Sequence, residues 1–349
     1  MIYLDFTKGG SGRHQSGLMR VSRRLREELG AAATAVRWSE GGWIDGGGRQ
    51  PSFTTRDWLL TPELFSEQER PGFRRFLEER PVRCAALFHD AIPLKLPHVT
   101  WPQSVARHPE YMKHLAAFDR VFAVSTASAE ELEGFWRWQG VGSRCSVVPL
   151  RLGADGDGGA RVVTPPERGK SPAVHLLCVG IIEPRKNQAL LVSVAERLRE
   201  AGCAFRLDVV GRTNPHFGKP IAAALRSLER RVAGVRFHEA VSDRVLQGLW
   251  EKADVSVFPT RAEGCGLPLL ESLWKGVPCV CSDLPVLREN ADGGGCIPVA
   301  VDDQAAWART LHDVITDGAL RSRLAREATM RALPAWKDTA REITLALGR

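Results

Sequence analysis

The sequence predicts an α/β fold built from two doubly wound, Rossmann-like domains facing a central cleft, and three observations carry that expectation. Short apolar runs alternate with amphipathic helical stretches along the chain, the pattern of parallel sheets covered on both faces. The alternation is broken once, by the stretch from Arg151 to Pro172, which is rich in glycine, proline and charge, and it restarts afterwards. The 349 residues also match two domains of ordinary size better than one.

In the first half, strands are expected at "IYLDF" from Ile2, "ATAVRW" from Ala33, "CAALFHD" from Cys84, "VFAVS" from Val121 and "CSVVPL" from Cys145. Between the first two, Leu18, Val21, Leu25 and Leu29 share one helical face with arginines opposite. Past the break, strands are expected at "VHLLCVGI" from Val174, "FRLDVVG" from Phe205, "VRFHEAV" from Val235, "VSVFPT" from Val255 and "PCVCSD" from Pro278. A helix from Gln188 to Arg199 places Leu190, Leu191, Val194 and Leu198 together. The expected boundaries are 1–160, 173–330 and a closing helix, 331–349, that packs back on the first domain. The break is read as an interdomain linker, too flexible around Asp155 and Asp157 to preorganise a metal.

Composition narrows the partners. At 44% hydrophobic and 26% charged the chain is of ordinary globular type, and its net charge of +7 comes from scattered arginines. That excess suits an anionic small molecule or an anionic membrane surface, whereas nucleic acid is not expected without a basic stripe or aromatic platform. The eight cysteines include no CxxC pair and read as reduced thiols. No signal peptide is read in "MIYLDFTKGG", and no apolar run approaches the ~20 residues of a membrane span. The expected location is cytoplasmic, any membrane contact being peripheral, at the inner face. The segment from Pro71 to Arg83 sets arginines beside Phe73 and Phe76, as an amphipathic surface helix does, with anionic lipid as the alternative contact.

Ligands in open α/β sheets bind beyond the carboxyl ends of strands, and three candidate segments stand there. "FTKGGSGRHQSGLMR" is a glycine-rich loop whose amides near Gly17 suit a phosphate, without the spacing of either common phosphate-loop motif. "VGIIEPRKNQALL" sets Arg185 and Lys186 at an expected helix start, against the helix dipole, as a site for an anion would. "AEGCGLPLLESLWKG" places Glu263 and Glu271 on either side of Gly264-Cys265-Gly266, before and inside a helix whose first amides include Leu267. Two carboxylates so placed suit the hydroxyls of a sugar or ribose.

"EGCGLPLLE" resembles the glutamate–seven–glutamate motif of the retaining family 4 glycosyltransferases, which have the GT-B fold, and nearly the whole chain resembles that family, its mannosyltransferase-like branches most. "GIIEPRKN" is similar to the family's donor-diphosphate segment, "LFHDAIPLKLP" to its His-Asp segment, and "SGLMRVSRRL" to its glycine loop. The resemblance implies an acceptor-side first domain and a nucleotide-sugar-binding second domain. It implies Glu263 on the donor sugar hydroxyls and Glu271 on the ribose. Arg185, Lys186, the amides of Gly264 to Leu267, and Ser16 with Gly17 would take the diphosphate, and His89 the sugar near its reacting carbon. Cys265 replaces the usual aromatic, and Ile181 stands where some members have an arginine.

The expected activity is transfer of a hexose, mannose first among them, from a nucleoside diphosphate sugar to an acceptor hydroxyl with retention, in polysaccharide or glycolipid assembly. The acceptor would be a sugar, a lipid-linked molecule or another small molecule. No cofactor and no metal is expected. The alternatives are an epimerase or hydrolase of the same fold and a non-catalytic nucleotide-binding subunit; a nicotinamide dehydrogenase lacks its GxGxxG with an acidic residue about 20 positions on.

Overall fold

The structure is a computed structural model that describes residues 1–9, 17–156, 158–165 and 173–348. It falls into two compact units, the first made of 1–153 with 334–349 and the second of 154–333.

Among the described residues the first unit has a seven-stranded sheet: β1 (Ile2–Asp5), β2 (Ala33–Ser39), β3 (Gly42–Asp45), β4 (Trp58–Thr61), β5 (Arg83–Phe88), β6 (Arg120–Ala123) and β7 (Ser146–Pro149), in the order β3-β2-β1-β4-β5-β6-β7. All neighbours are parallel except β2 and β3. That pair corrects the all-parallel expectation. Glu40 (φ 48°) and Gly41 (φ 82°) form the two-residue turn, the left-handed pair that matches strand twist in a tight hairpin. Helices α1 (Gly17–Leu29), α2 (Phe73–Glu79), α3 (Ile92–Lys95), α4 (Pro102–Leu115) and α5 (Thr126–Gln139) accompany it. The α2 phenylalanines point inward: Phe73 and Phe76 stack edge-on against Trp38 and Trp43, and Arg74 and Arg75 pair with Glu78 and Glu79.

The second unit carries a six-stranded, wholly parallel sheet of β8 (Val174–Val179), β9 (Phe205–Val210), β10 (Val235–His238), β11 (Val255–Phe258), β12 (Cys279–Ser282) and β13 (Cys296–Val299). Its order, β10-β9-β8-β11-β12-β13, is the doubly wound arrangement that reverses between its first and fourth strands. Among the described residues, seven helices join it: α6 (Gln188–Glu200), α7 (Lys219–Arg231), α8 (Asp243–Lys252), α9 (Leu267–Trp274), α10 (Pro285–Ala291), α11 (Gln304–Thr316) and α12 (Gly318–Met330). One face of the sheet packs Leu176, Val209 and Val257 against Leu191, Leu225 and Trp307. The other sets Leu177 and Val210 on Trp250.

The last helix, α13 (Trp336–Ala346), belongs to the first unit, where Thr339 donates its hydroxyl to the Arg151 carbonyl at 2.9 Å. The expected linker is in part built into the second unit. The Trp274 indole donates to the Gly159 carbonyl at 2.8 Å, Val162 N–H donates to the Trp274 carbonyl at 3.0 Å, and the Arg161 guanidinium lies over the Trp274 ring. A tryptophan offering both a donor and an acceptor fixes backbone that glycine content alone would leave free. Asp157 and residues 166–172 lie outside the described residues.

Candidate functional site

In the second unit, the strand order reverses between β8 and β11, and the segments leaving these two strands meet there. After β8 the chain makes a 3₁₀ turn, Pro184–Lys186, and Asn187 then takes a left-handed conformation (φ 56°) before α6 begins at Gln188. Arg185 and Lys186 therefore stand on a separate turn ahead of the helix, and the expected conflict with the dipole of α6 does not arise. The Asn187 side chain secures this break, its Nδ2 donating to Asp302 Oδ1 at 2.9 Å. After β11, Arg261 N–H donates to the Arg185 carbonyl at 2.8 Å, which ties the two segments together through the backbone.

The side chains converge on Glu263. Lys186 Nζ lies 2.6 Å from its Oε1, Arg185 Nη1 3.2 Å and Thr260 Oγ1 2.6 Å. Arg185 also donates to the Ala262 carbonyl at 2.9 Å and pairs with Glu183 at 2.7 Å. Glu183 in turn accepts from Asn214, beyond β9, at 2.9 Å. The Lys186 ammonium stands 4.9 Å from the centre of the Phe258 ring. Burial pushes the Lys186 pKa down, and Glu263 restores it only in part. For Glu263, burial pushes the carboxyl up, but Lys186, Arg185 and Thr260 outweigh it and hold it below its ordinary range. The result is a largely enclosed cluster of two cations and two carboxylates, in which both cations converge on Glu263 and Arg185 also pairs with Glu183. Glu183, Asn214 and Thr260 were not singled out as site residues from the sequence. Only the position of Glu183 two residues before Arg185 hints at its part.

Gly266 caps α9 in a left-handed conformation (φ 79°), and a β-carbon there would lie 2.5 Å from Leu287 Cδ2, so the position demands glycine. Asn290 holds the turn by donating to the Cys265 carbonyl at 2.5 Å. Gly264 precedes that turn, and Leu267 and Pro268 open α9, proline having no N–H to offer in this first turn. Glu271 is buried one turn on, and its carboxylate fills the space that a side chain at Gly156 would need. A stretch read as linker thus shapes the surroundings of a candidate ribose ligand.

In the first unit, Gly17 is the first residue of α1, and Ser16 lies outside the described residues. His89 follows β5, 7% exposed, with Nε2 on the Pro62 carbonyl at 2.8 Å. A carbonyl only accepts, so Nε2 carries the proton. Burial lowers the pKa of the ring, which is neutral at neutral pH and keeps Nδ1 as its acceptor. The backbone carbonyl of His89 accepts from Ser128 Oγ at 3.1 Å.

Residues 173–317 match the family model described as glycosyl transferases group 1. The chain carries a glycosyl transferases group 1 domain. The cluster around Glu263 and the turn before α9 both lie inside this group 1 domain. Among its relatives, a serotype-specific mannosyltransferase WbdA of Escherichia coli is 27% identical over 317 residues, which are 79% of this chain and 38% of that protein. The chain therefore spans little more than a third of the length of those relatives. Among solved structures, sucrose-phosphate synthase from Thermosynechococcus elongatus aligns with a TM-score of 0.72 at 16% identity, over 99% of this chain and 97% of that one. HepE from Anabaena, in complex with UDP, aligns with a TM-score of 0.68 at 13% identity, over 99% of each. These likenesses show the fold, which is GT-B, and the residues matched by the group 1 model lie within the second unit. No helix among the described residues is long and apolar enough to cross a membrane.

Proposed function

We propose that the chain is a retaining glycosyltransferase that moves a hexose from a nucleoside diphosphate sugar to an acceptor hydroxyl in polysaccharide or glycolipid assembly. The observation that carries this reading is the pair of cations, buried Lys186 and half-buried Arg185, gathered on Glu263 where the sheet order reverses. Mannose is the first sugar to test, because the curated relatives include mannosyltransferases. That a solved neighbour holds UDP supports a nucleotide donor.

In this reading Lys186 and Arg185 bind the diphosphate and stabilise the charge that grows as it leaves. Glu263 holds both cations in place in the free protein, and in the complex it accepts from sugar hydroxyls. Glu271 serves the ribose. The bond from the anomeric carbon to the diphosphate breaks with its electrons on the phosphate oxygen. The acceptor oxygen bonds the same face of that carbon, and its proton passes to the departing oxygen, so no protein base is needed. His89 offers Nδ1 to a sugar hydroxyl and so contributes to turnover rather than to nucleotide binding. The Gly17 amide end of α1 and the Gly264–Leu267 turn supply further donors for phosphate. In this reading Lys186 and Arg185 serve the leaving group in place of a metal.

The test pairs thermal shift on GDP, UDP, ADP and their sugars with NMR of the anomeric configuration in the product. A nucleotide that binds the folded state raises the melting temperature by mass action. A preferred diphosphate and a retained anomeric centre are expected. An inverted product overturns retention, and product formed without acceptor overturns transfer.

A further inference from the structure

A second buried charge cluster lies in the first unit, again where its sheet order reverses, between β1 and β4. Asp5 ends β1, Thr61 ends β4, and Glu63 follows two residues later. Arg70, with no solvent exposure, lies between the two carboxylates: Nη1 is 2.6 Å from Asp5 and Nη2 is 3.2 Å from Glu63. Its guanidinium is also ringed by Trp43, Phe65 and Phe73 at 5.5–5.6 Å. An arginine so enclosed cannot turn away, and it fixes the Glu63 carboxylate from behind.

The free side of that carboxylate faces the start of the glycine-rich loop. Lys8 N–H donates to Glu63 Oε2 at 2.8 Å and to Oε1 at 3.0 Å, and Gly9 N–H donates to Oε1 at 2.9 Å. Just before them, Thr7 Oγ1 donates to Asp5 at 2.6 Å and accepts from Trp38 N–H at 2.9 Å. The same short segment also orients His89, through the Pro62 carbonyl. Neighbouring Pro62 and Glu63 thus hold, respectively, the imidazole of His89 and the backbone of Lys8 and Gly9.

We propose that Glu63 is a positioning residue for the reaction: it sets the backbone of Thr7–Gly9 in register with His89. The role for the donor rests on the function proposed above; the role in the loop does not. Solvation alone would not select this arrangement, because a carboxylate that receives backbone N–H groups and a guanidinium is held in one orientation.

The experiment measures amide hydrogen exchange by NMR on the full chain, in wild type, Glu63→Asp and Glu63→Gln, alongside donor KM and kcat. At pH 8, where Glu63 is ionised, Glu63→Asp keeps the charge beside Arg70 but falls one methylene short of the backbone of Lys8 and Gly9. Exchange at Lys8 and Gly9 is expected to quicken by about tenfold or more, as loss of a charge-assisted hydrogen bond implies, while β8 amides stay unchanged. Donor KM should rise and kcat fall with little change in melting temperature, whereas a merely structural loss would lower the folded fraction and leave KM alone. Unchanged exchange at Lys8 and Gly9 in a folded variant overturns the anchoring role. Should neither variant fold, amides of Lys8 and Gly9 that exchange in wild type at the rate of unstructured peptide overturn it equally. Faster exchange with unchanged donor KM overturns the role in the reaction. A wild type that transfers no sugar refutes the proposed function, and the exchange measurement still decides the anchor.

Discussion

Replacing Lys186 by alanine separates binding from folding. In the free protein its ammonium lies 2.6 Å from Glu263 in an almost enclosed setting. Glu263 keeps Arg185 at 3.2 Å and the Thr260 hydroxyl at 2.6 Å after the change, so it is not left as an isolated buried charge. The loss of folding stability should therefore fall below the roughly 3–5 kcal/mol typical of orphaning a buried ion, and come to about 1–3 kcal/mol. A bound diphosphate loses one charge-assisted contact, worth about 1.5–3 kcal/mol, so its Kd should rise roughly ten- to a hundredfold. Calorimetry with the preferred nucleoside diphosphate and with the bare nucleoside reads the second effect, and urea unfolding reads the first. Equal weakening of nucleoside and nucleoside diphosphate, or no weakening of either, would refute the assignment of Lys186 to the diphosphate.

The two buried glutamates should give opposite pH slopes. The Glu263 carboxyl lies below its ordinary 4.5, so its contribution is full above that pH and lost as pH falls through the folded-state value; Glu263→Gln should flatten the acid limb of urea stability. Burial, then the charge of Asp5, raises Glu63 to about 7 against the opposing pull of Lys8 and Gly9 N–H and of Arg70, so its contribution is full below 4.5 and lost as pH rises to 7. Glu63→Gln should remove that fall, on the order of 3 kcal/mol at most. Gly156→Ala pushes on the Glu271 carboxylate and should weaken nucleoside diphosphate binding but not inorganic diphosphate binding, matching Glu271→Gln; calorimetry showing equal loss of both ligands would move Glu271 off the ribose. His89→Ala should lower turnover strongly with nucleotide affinity and melting temperature little changed, and a variant that melts early and loses all binding would make the residue structural. Chelation of divalent metal by EDTA should leave turnover intact; activity restored only by magnesium or manganese would contradict the two-cation reading.

The strands with long apolar runs were legible because burial on both faces leaves a continuous signature, as in "VHLLCV" and "CAALF". β3, β4 and β13 were missed, since "GWID", "WLLT" and "CIPV" carry too short an apolar pattern to stand apart from the loops around them. Missing β4 hid Glu63, because Lys8 and Gly9, 55 and 54 positions away, reach it only through the pairing of β1 with β4. Arg185, Lys186 and Glu263 were legible as types of residue at strand ends, but not their mutual pairing, which depends on β8 and β11 being neighbours. The break at Asn187 was not legible either, because a left-handed non-glycine residue is fixed by its bond to Asp302, far along the chain.

The helix α13 gives the chain an unusual order of completion. Trp336 is almost fully buried against Gly153, where any side chain would strike its backbone, so the first unit keeps an open seat until residues 334–349 arrive. In topological terms the second unit is an insertion into the first. During synthesis the later-made unit, contiguous from 154 to 333, has all its residues before the earlier one does, reversing the usual rule that the N-terminal domain finishes first. A fragment ending at Gly153 would be released with the Trp336 seat unfilled and prone to association, whereas residues 154–333 have their whole core within one continuous stretch.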